Sequence, residues 1–356
     1  MDVGLIGLPQ TGKSLLFRLL AGEGRGGPGQ ATVGMASIPD PRLDRLAAMY
    51  RPRKVTPATL RVTDIPGAVP GEDRARWNRF LEAVRGADVL VHVIRAFRHE
   101  SLPHVWGEVD PVRDARMLRD ELILTDLATV EGAEQRLAAM PPRKRRPADQ
   151  ALLELLPRMR ETLEQERPLR ELEWTEEELR LVRGFGLLTL KPMVLAVNVD
   201  ERQLQSGSFP GEPALREAAA GWGESVITFC GPVEAEIAEL PAGEREAFME
   251  EYGIGEPGVA RLARAAYQVS GLISFFTAGE EEVRAWPIRR GTTARQAAGK
   301  IHSDIERGFI RAEVVAYDDL VRLGSMAAVR EAGLLRLEGR DYVVQDGDVI
   351  LFRFNV

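Results

Sequence analysis

Val3-Gly4-Leu5-Ile6-Gly7-Leu8-Pro9-Gln10-Thr11-Gly12-Lys13-Ser14, at the start of the chain, reads as strand, loop and the first turn of a helix. Residues 3–6 are a short apolar run, partly β-branched, that Gly7 ends at once. Residues 13–20 then place Leu15, Leu16, Leu19 and Leu20 at helical spacing. Residues 7–14 fit G-x-x-x-x-G-K-[ST] in the context its mechanism needs, after a strand and opening a helix. Pro9, Gln10, Thr11, Gly12 and Leu15 are expected to wrap the α- and β-phosphates of a nucleotide, with backbone N–H groups as donors. Lys13 reaches the β- and γ-phosphates and the Ser14 hydroxyl ligates Mg²⁺.

Further strand-like runs at 59–63, 89–94, 193–197 and 226–229 alternate with helical segments, the pattern of a mostly parallel sheet with crossover helices. Between Asp114 and Leu190 the composition shifts to Leu, Glu and Arg, with Pro141, Pro142 and the run Arg143-Lys144-Arg145-Arg146 in the middle. This predicts two antiparallel helices joined by a basic turn and inserted between two strands. The charges read as a solvated face, except at the tip, where four adjacent like charges repel unless an anion relieves them. From about Ile273 short strands at 273–276, 283–288, 313–316, 342–344 and 349–354 surround a helix near 294–303 that Thr292 or Thr293 caps. That order is that of a ubiquitin-like β-grasp. The fold class is α/β: a P-loop NTPase domain (1–113 and 191–270), a helical coiled-coil insertion (114–190) and a C-terminal β-grasp domain (272–356).

The second strand ends in Thr63-Asp64-Ile65-Pro66-Gly67. In D-x-x-G the carboxylate holds Mg²⁺ through water and the glycine amide senses the γ-phosphate; an ordinary turn carrying an Asp has the same tetrapeptide. The strand at 193–197 runs into Asn198-Val199-Asp200-Glu201, so Glu201 stands where a guanine-reading Asp follows N-K-x. A carboxylate one methylene longer, without the lysine, holds guanine poorly, so adenine fits better. A surface glutamate, with the base held by packing alone, is the other reading.

The chain has 356 residues, 44% of them apolar, and a formal net charge of -7, which excludes a small disulfide scaffold and a global positive field for nucleic acid. One cysteine and four histidines supply neither an internal disulfide nor a zinc-ligand cluster. The N-terminus lacks a basic segment followed by a long apolar one, and no run reaches about 18 apolar residues. A soluble cytoplasmic protein is expected.

These residues resemble the YchF or Obg-like ATPase family, a translation-factor branch of the P-loop NTPases. The resemblance runs through the P-loop, Ile38-Pro39-Asp40-Pro41-Arg42-Leu43, the segment from His104 to Pro111, N-x-x-E at Asn198, and residues 234–240. It is most specific at Phe275-Phe276-Thr277-Ala278-Gly279, 282–286, 308–314 and 346–356, which resemble the family's TGS domain. It implies ATP in preference to GTP, slow hydrolysis, and association with ribosomes or RNA. Separately, no membrane binding, no sequence-specific DNA recognition and a monomeric state are expected. It further implies that Asn198, Val199 and Glu201 face the base and that Cys230 and Gly231 close its far side.

The chain departs from the family in both switches. Only Gln30-Ala31-Thr32-Val33-Gly34 stands in place of a longer aromatic-containing passage, leaving Thr32 as the candidate switch ligand of Mg²⁺. After Gly67 comes Ala68, with neither a water-orienting glutamine nor the family's glycine-rich run. His104, in the matching segment, is the candidate to orient water, with a structural histidine as the alternative. Lys13, Asp64, Gly67 and His104 are thus the candidate catalytic set, and Ser14, Thr32 and Asp64 the candidate metal set. The rival function is a scaffold that binds nucleotide without hydrolysing it. Arg289, Arg290, Arg295 and Lys300 are further candidates for phosphate contact, or a solvated face.

Overall fold

The opening apolar run forms β1 (Asp2–Ile6), buried from Val3 onward. The other strands of its sheet are β2 (Thr32–Ser37), β4 (Thr59–Asp64), β5 (Val89–Arg95), β6 (Met193–Asn198) and β7 (Ser225–Phe229), with β3 (Lys54–Thr56) elsewhere. The computed structural model describes residues 1–26 and 31–355, so Gln30 and Val356 lie outside the described residues. The sheet order is β2-β4-β1-β5-β6-β7. β1 pairs parallel with both β4 and β5, β5 with β6, and β6 with β7. β5 and β6 are buried along their whole length, as strands covered by helices on both faces must be. The chain leaves β1 to build first on one side and then on the other, so the loop after β1 opens at the switch point where such sheets bind ligands.

Helix Lys13–Ala21 follows at once and stops at Gly22. The long helix Pro111–Ala139 starts where Asp110 accepts the N–H groups of Val112 and Arg113. Helix Pro147–Glu164 packs back on it, with Ile123, Val130, Ala133 and Leu137 meeting Leu155, Leu156, Met159 and Leu163 in a core of their own. The base of this pair is tied down by Asp126, buried, which accepts the N–H of Leu188 (2.9 Å) and the N–H and hydroxyl of Thr189 (2.7 and 2.6 Å).

The tip departs from the expectation of four unrelieved charges. Arg145 donates to the carbonyls of Leu137 and Ala138, which end the first helix, and Arg146 pairs with Asp149 in the first turn of the second. Helix-end carbonyls and an N-terminal carboxylate are ready partners for arginine, so two of the four charges are spent locally. Arg143 and Lys144 are exposed.

A second sheet, ordered β11-β10-β12-β8-β9-β3, comprises β8 (Leu272–Ala278), β9 (Glu282–Arg289), β10 (Phe309–Ala316), β11 (Arg336–Glu338), β12 (Asp348–Phe354) and β3. β8 and β9 form a hairpin, β12 returns parallel to β8, and helix Ala294–Ile301 packs Ala294, Ala297 and Ala298 onto Ile273, Phe275 and Ile350. This is the β-grasp. Thr293 precedes that helix, its N–H donating to Gln296 Oε1. Residues 342–344 are not a strand: Tyr342 Oη and the Gln345 N–H both bind Asp348 Oδ2 and fold the segment into a turn, leaving one bridge between Thr293 and Val343. The pairing passes to β11, whose Arg-Leu-Glu carries no apolar run.

Two compact units result, residues 1–35 with 61–262 and residues 36–60 with 263–356. The second takes in 36–60 because β3 pairs in parallel with β9, Lys54 opposite Glu282, an addition that three mostly polar residues do not announce. Among the described residues no helix is long and apolar enough to cross a membrane.

Candidate functional site

Gln10 at φ 62° and Gly12 at φ 94° turn the loop between β1 and its helix. Gly12 is irreplaceable for a second reason: a Cβ there would lie 2.3 Å from Asn198 Nδ2. Thr11, buried, pins the loop through its hydroxyl to the Leu8 carbonyl (3.1 Å). Lys13 is drawn inward, its Nζ donating to the carbonyls of Gly7 (2.9 Å) and Leu8 (2.7 Å). Burial pulls its pKa down to about 8, against the opposing charge of Asp64. Gly67 lies against the same loop, where a Cβ would sit 2.8 Å from Lys13 Nζ and 2.9 Å from Pro9 N.

Ser14 Oγ donates to Asp64 Oδ2 at 2.6 Å, while Asp64 Oδ1 is buried with no hydrogen-bond partner among the described residues. A serine hydroxyl and a carboxylate with an unsatisfied oxygen are oxygen donors that Mg²⁺ takes together with phosphate and water. No cluster of three or more His, Cys, Asp or Glu suited to a metal occurs among the described residues, and this site does not need one. Thr32, at the start of β2, lies against Gly24 and Gly26.

Asn198 ends β6, 3% exposed, and braces two loops. Its Nδ2 donates to the Thr11 carbonyl and its Oδ1 accepts the Gly231 N–H, both at 3.1 Å. Beside it opens a cavity of about 790 Å³ lined by Gln10, Gly12, Leu15, Asn198, Val199 and Glu201 of the expected residues. Pro232 rather than Cys230 forms the far wall; Cys230 is 1% exposed, and burial pushes its thiol up to about 11. The cavity is also lined by Phe97, Arg98, His99 and Leu102, which motif reading missed. Arg95, buried, holds that loop by donating to the carbonyls of Phe97 (3.1 Å) and Leu102 (2.7 Å), its guanidinium 4.5 Å from the Phe97 ring centroid. Their position at the C-terminal end of a parallel strand was the available signal.

His104 is set apart from this cavity. Its side chain is 2% exposed, its Nε2 lies 2.9 Å from Asp114 Oδ2, and it lines a second cavity of about 490 Å³. Burial pushes the Asp114 carboxyl up, opposed by Arg113 and His104.

The family described as 50S ribosome-binding GTPase (MMR_HSR1) matches residues 2–119, and the family YchF-GTPase_C, described as protein of unknown function, matches residues 272–355. The chain is 44% identical to the ribosome-binding ATPase YchF of Bacillus subtilis (strain 168) over 365 residues, 100% of each chain. It is 36% identical to Obg-like ATPase 1 of Caenorhabditis elegans, covering 100% of this chain and 92% of that one. The solved structure of the Schizosaccharomyces pombe YchF GTPase superposes with a TM-score of 0.88 at 30% identity, covering 99% of this chain and 97% of that one. With P-loop, D-x-x-G and N-x-x-E gathered at one sheet edge and full-length identity of this order, the chain belongs to the YchF/Obg-like ATPase family.

Proposed function

We propose that this protein is an ATP-binding regulatory nucleoside triphosphatase that hydrolyses the β–γ bond slowly and couples nucleotide state to ribosome or RNA binding in the cytoplasm, as a monomer. The observation that carries the reading is the Ser14–Asp64 pair with its unsatisfied carboxylate oxygen, set beside Lys13 and a cavity of about 790 Å³. Lys13 neutralises the β- and γ-phosphates, and Ser14 and Asp64 would hold Mg²⁺, which when bound offsets charge on the phosphate oxygens. Glu201, at the head of helix Glu201–Ser206, stands one methylene longer than the Asp that pairs with guanine N1–H and its 2-amino group, and without the preceding lysine, so it holds guanine poorly and favours ATP over GTP. Gly67 senses the γ-phosphate and His104 orients water; Thr32 is the switch ligand. The ribosome partner rests on the relatives' names, and the exposed Arg143 and Lys144 at the tip of the 114–190 arm are suited to phosphate contact.

The test is a titration of fluorescent ATP and GTP analogues with Mg²⁺ on the wild type and Lys13→Ala, with phosphate release followed in the same samples. ATP binding lost in the variant, with slow wild-type turnover, is expected. Binding without turnover would favour the scaffold, and GTP preferred over ATP would overturn the role of Glu201.

A further inference from the structure

The partners of the buried His104 ring determine which of its nitrogens carries the hydrogen. The backbone N–H of Trp106 meets His104 Nδ1 at 3.2 Å, and Arg113 Nη2 lies 3.5 Å from the same nitrogen. Both groups only donate, so Nδ1 carries no hydrogen and the ring hydrogen sits on Nε2. Nε2–H therefore donates to Asp114 Oδ2 at 2.9 Å. The other oxygen, Oδ1, accepts from Arg113 Nε (3.0 Å) and Nη2 (2.8 Å), so this carboxylate, 2% exposed, is held on both sides.

We propose that Asp114 is a positioning residue for hydrolysis: it fixes His104 as the Nε2–H tautomer and leaves Nδ1 as the nitrogen that engages the attacking water. This rests on the reading above, in which the site hydrolyses ATP and His104 orients water. The two bonds to the ring are unequal. The one to the carboxylate is buried and charge-assisted; the one from Trp106 is at the long end of the hydrogen-bond range and sits in a tight turn closed by the Gly107 N–H on the His104 carbonyl (2.9 Å). Opening the weaker bond leaves the stronger one as pivot, and turning the ring about it carries Nδ1 away from the Trp106 N–H and from Arg113 Nη2, 3.5 Å off. Room for that turn exists, because the cavity of about 490 Å³ beside His104 shares Arg98, His99 and Leu102 with the base cavity.

In the step itself the water oxygen bonds to the γ-phosphorus. The bond from that phosphorus to the bridging oxygen breaks, with its electron pair leaving on ADP. The water proton passes to Nδ1, and the Asp114 carboxylate faces the imidazolium charge so formed. An asparagine at 114 would present its amide hydrogens either to Nε2–H or to Arg113, both donors. The charged guanidinium, with two donors on one oxygen, takes the amide carbonyl, so the amide hydrogens face Nε2, drive the ring hydrogen to Nδ1 against the Trp106 N–H, and remove the water acceptor.

The experiment compares kcat and KM for ATP in the wild type, Asp114→Asn, Asp114→Glu, His104→Ala and the double variant His104→Ala/Asp114→Asn. A long-range ¹H–¹⁵N spectrum of the His104 ring is recorded alongside. The expected result is an Nε2–H tautomer in the wild type that Asp114→Asn abolishes. With it, kcat falls at least about tenfold, to the level of His104→Ala, KM stays within about twofold, and the double variant is no slower than either single one. Asp114→Glu recovers part of kcat. Wild-type or raised kcat in Asp114→Asn, or a double variant slowed by the product of the two single effects, would overturn the proposal. Should Asp114→Asn not fold, an Nδ1–H tautomer in the wild type, or Asp114→Glu no better than His104→Ala, would overturn it. No turnover in the wild type removes the hydrolytic reading itself. Turnover lowered by His104→Ala and untouched by Asp114→Asn removes Asp114 alone.

Discussion

Asn198 and Thr11, 187 positions apart, are joined by a hydrogen bond of 3.1 Å from the asparagine Nδ2 to the threonine carbonyl. The same side chain accepts the Gly231 N–H, so one buried amide holds the phosphate loop and the loop beyond β7 in register. A side chain shared in this way transmits any shift in one loop to the other. It also explains why Gly12 tolerates no Cβ.

Asn198→Ala leaves a buried carbonyl and a buried N–H unpaired, which costs about 1–3 kcal/mol for each. The expected outcome is a lower melting temperature together with an ATP dissociation constant raised about tenfold or more. Differential scanning fluorimetry with and without Mg-ATP checks both. Unchanged affinity would mean that the brace does not order the phosphate loop.

Lys13 titrates where binding can be followed directly. Burial brings its pKa to about 8, and a bound triphosphate favours the charged form. Below pH 8 the free protein already carries that charge. Above it the proton must be taken up on binding, so affinity declines as pH rises, by up to about tenfold per unit. Titrations between pH 7 and 9.5 measure this, and Lys13→Arg, charged throughout, should remove the decline.

Glu224 supplies a stability change of opposite origin. It ion-pairs with Arg170 beneath Arg119, whose guanidinium lies 4.7 Å from the Trp222 ring centroid, and its Oε2 is buried without a partner among the described residues. Burial raises its pKa from 4.5 to about 7, with the two arginines opposing. The folded state therefore binds more protons than the unfolded one between those values. This group's stabilisation is full below pH 4.5 and is lost as pH rises through 7. Melting curves of wild type minus Glu224→Gln should slope downward across that window; a flat difference would exclude the shift.

At the tip the structure separates four charges that are alike in sequence. Arg143→Ala/Lys144→Ala should weaken ribosome association and reduce its salt dependence without affecting the melting temperature. Arg145→Ala should instead loosen the turn, because it uncaps the Leu137 and Ala138 carbonyls. Sedimentation with ribosomes at 50 and 200 mM salt distinguishes them.

The placement of much of the candidate site was legible in order along the chain. Gly7 to Ser14, Asp64 and Gly67, and Asn198 to Glu201 each stand at or just beyond the C-terminal end of a strand, and a parallel sheet brings such strand ends together whatever lies between. Local spacing determined those strands, the long helical pair and the hairpin-helix order of the C-terminal unit, because periodicity of burial is written into successive residues. Tertiary structure alone decided three further things. The short strands β3 and β11 form by pairing with β9 and β10, an energy no three-residue run carries by itself. Phe97 and Pro232, and not Cys230, line the cavity of about 790 Å³ beside Asn198, because loop paths depend on anchors such as Arg95. The tautomer of His104 is set by Asp114, Trp106 and Arg113, through hydrogen bonds whose directions exist only once helix Pro111–Ala139 has folded against the loop before it.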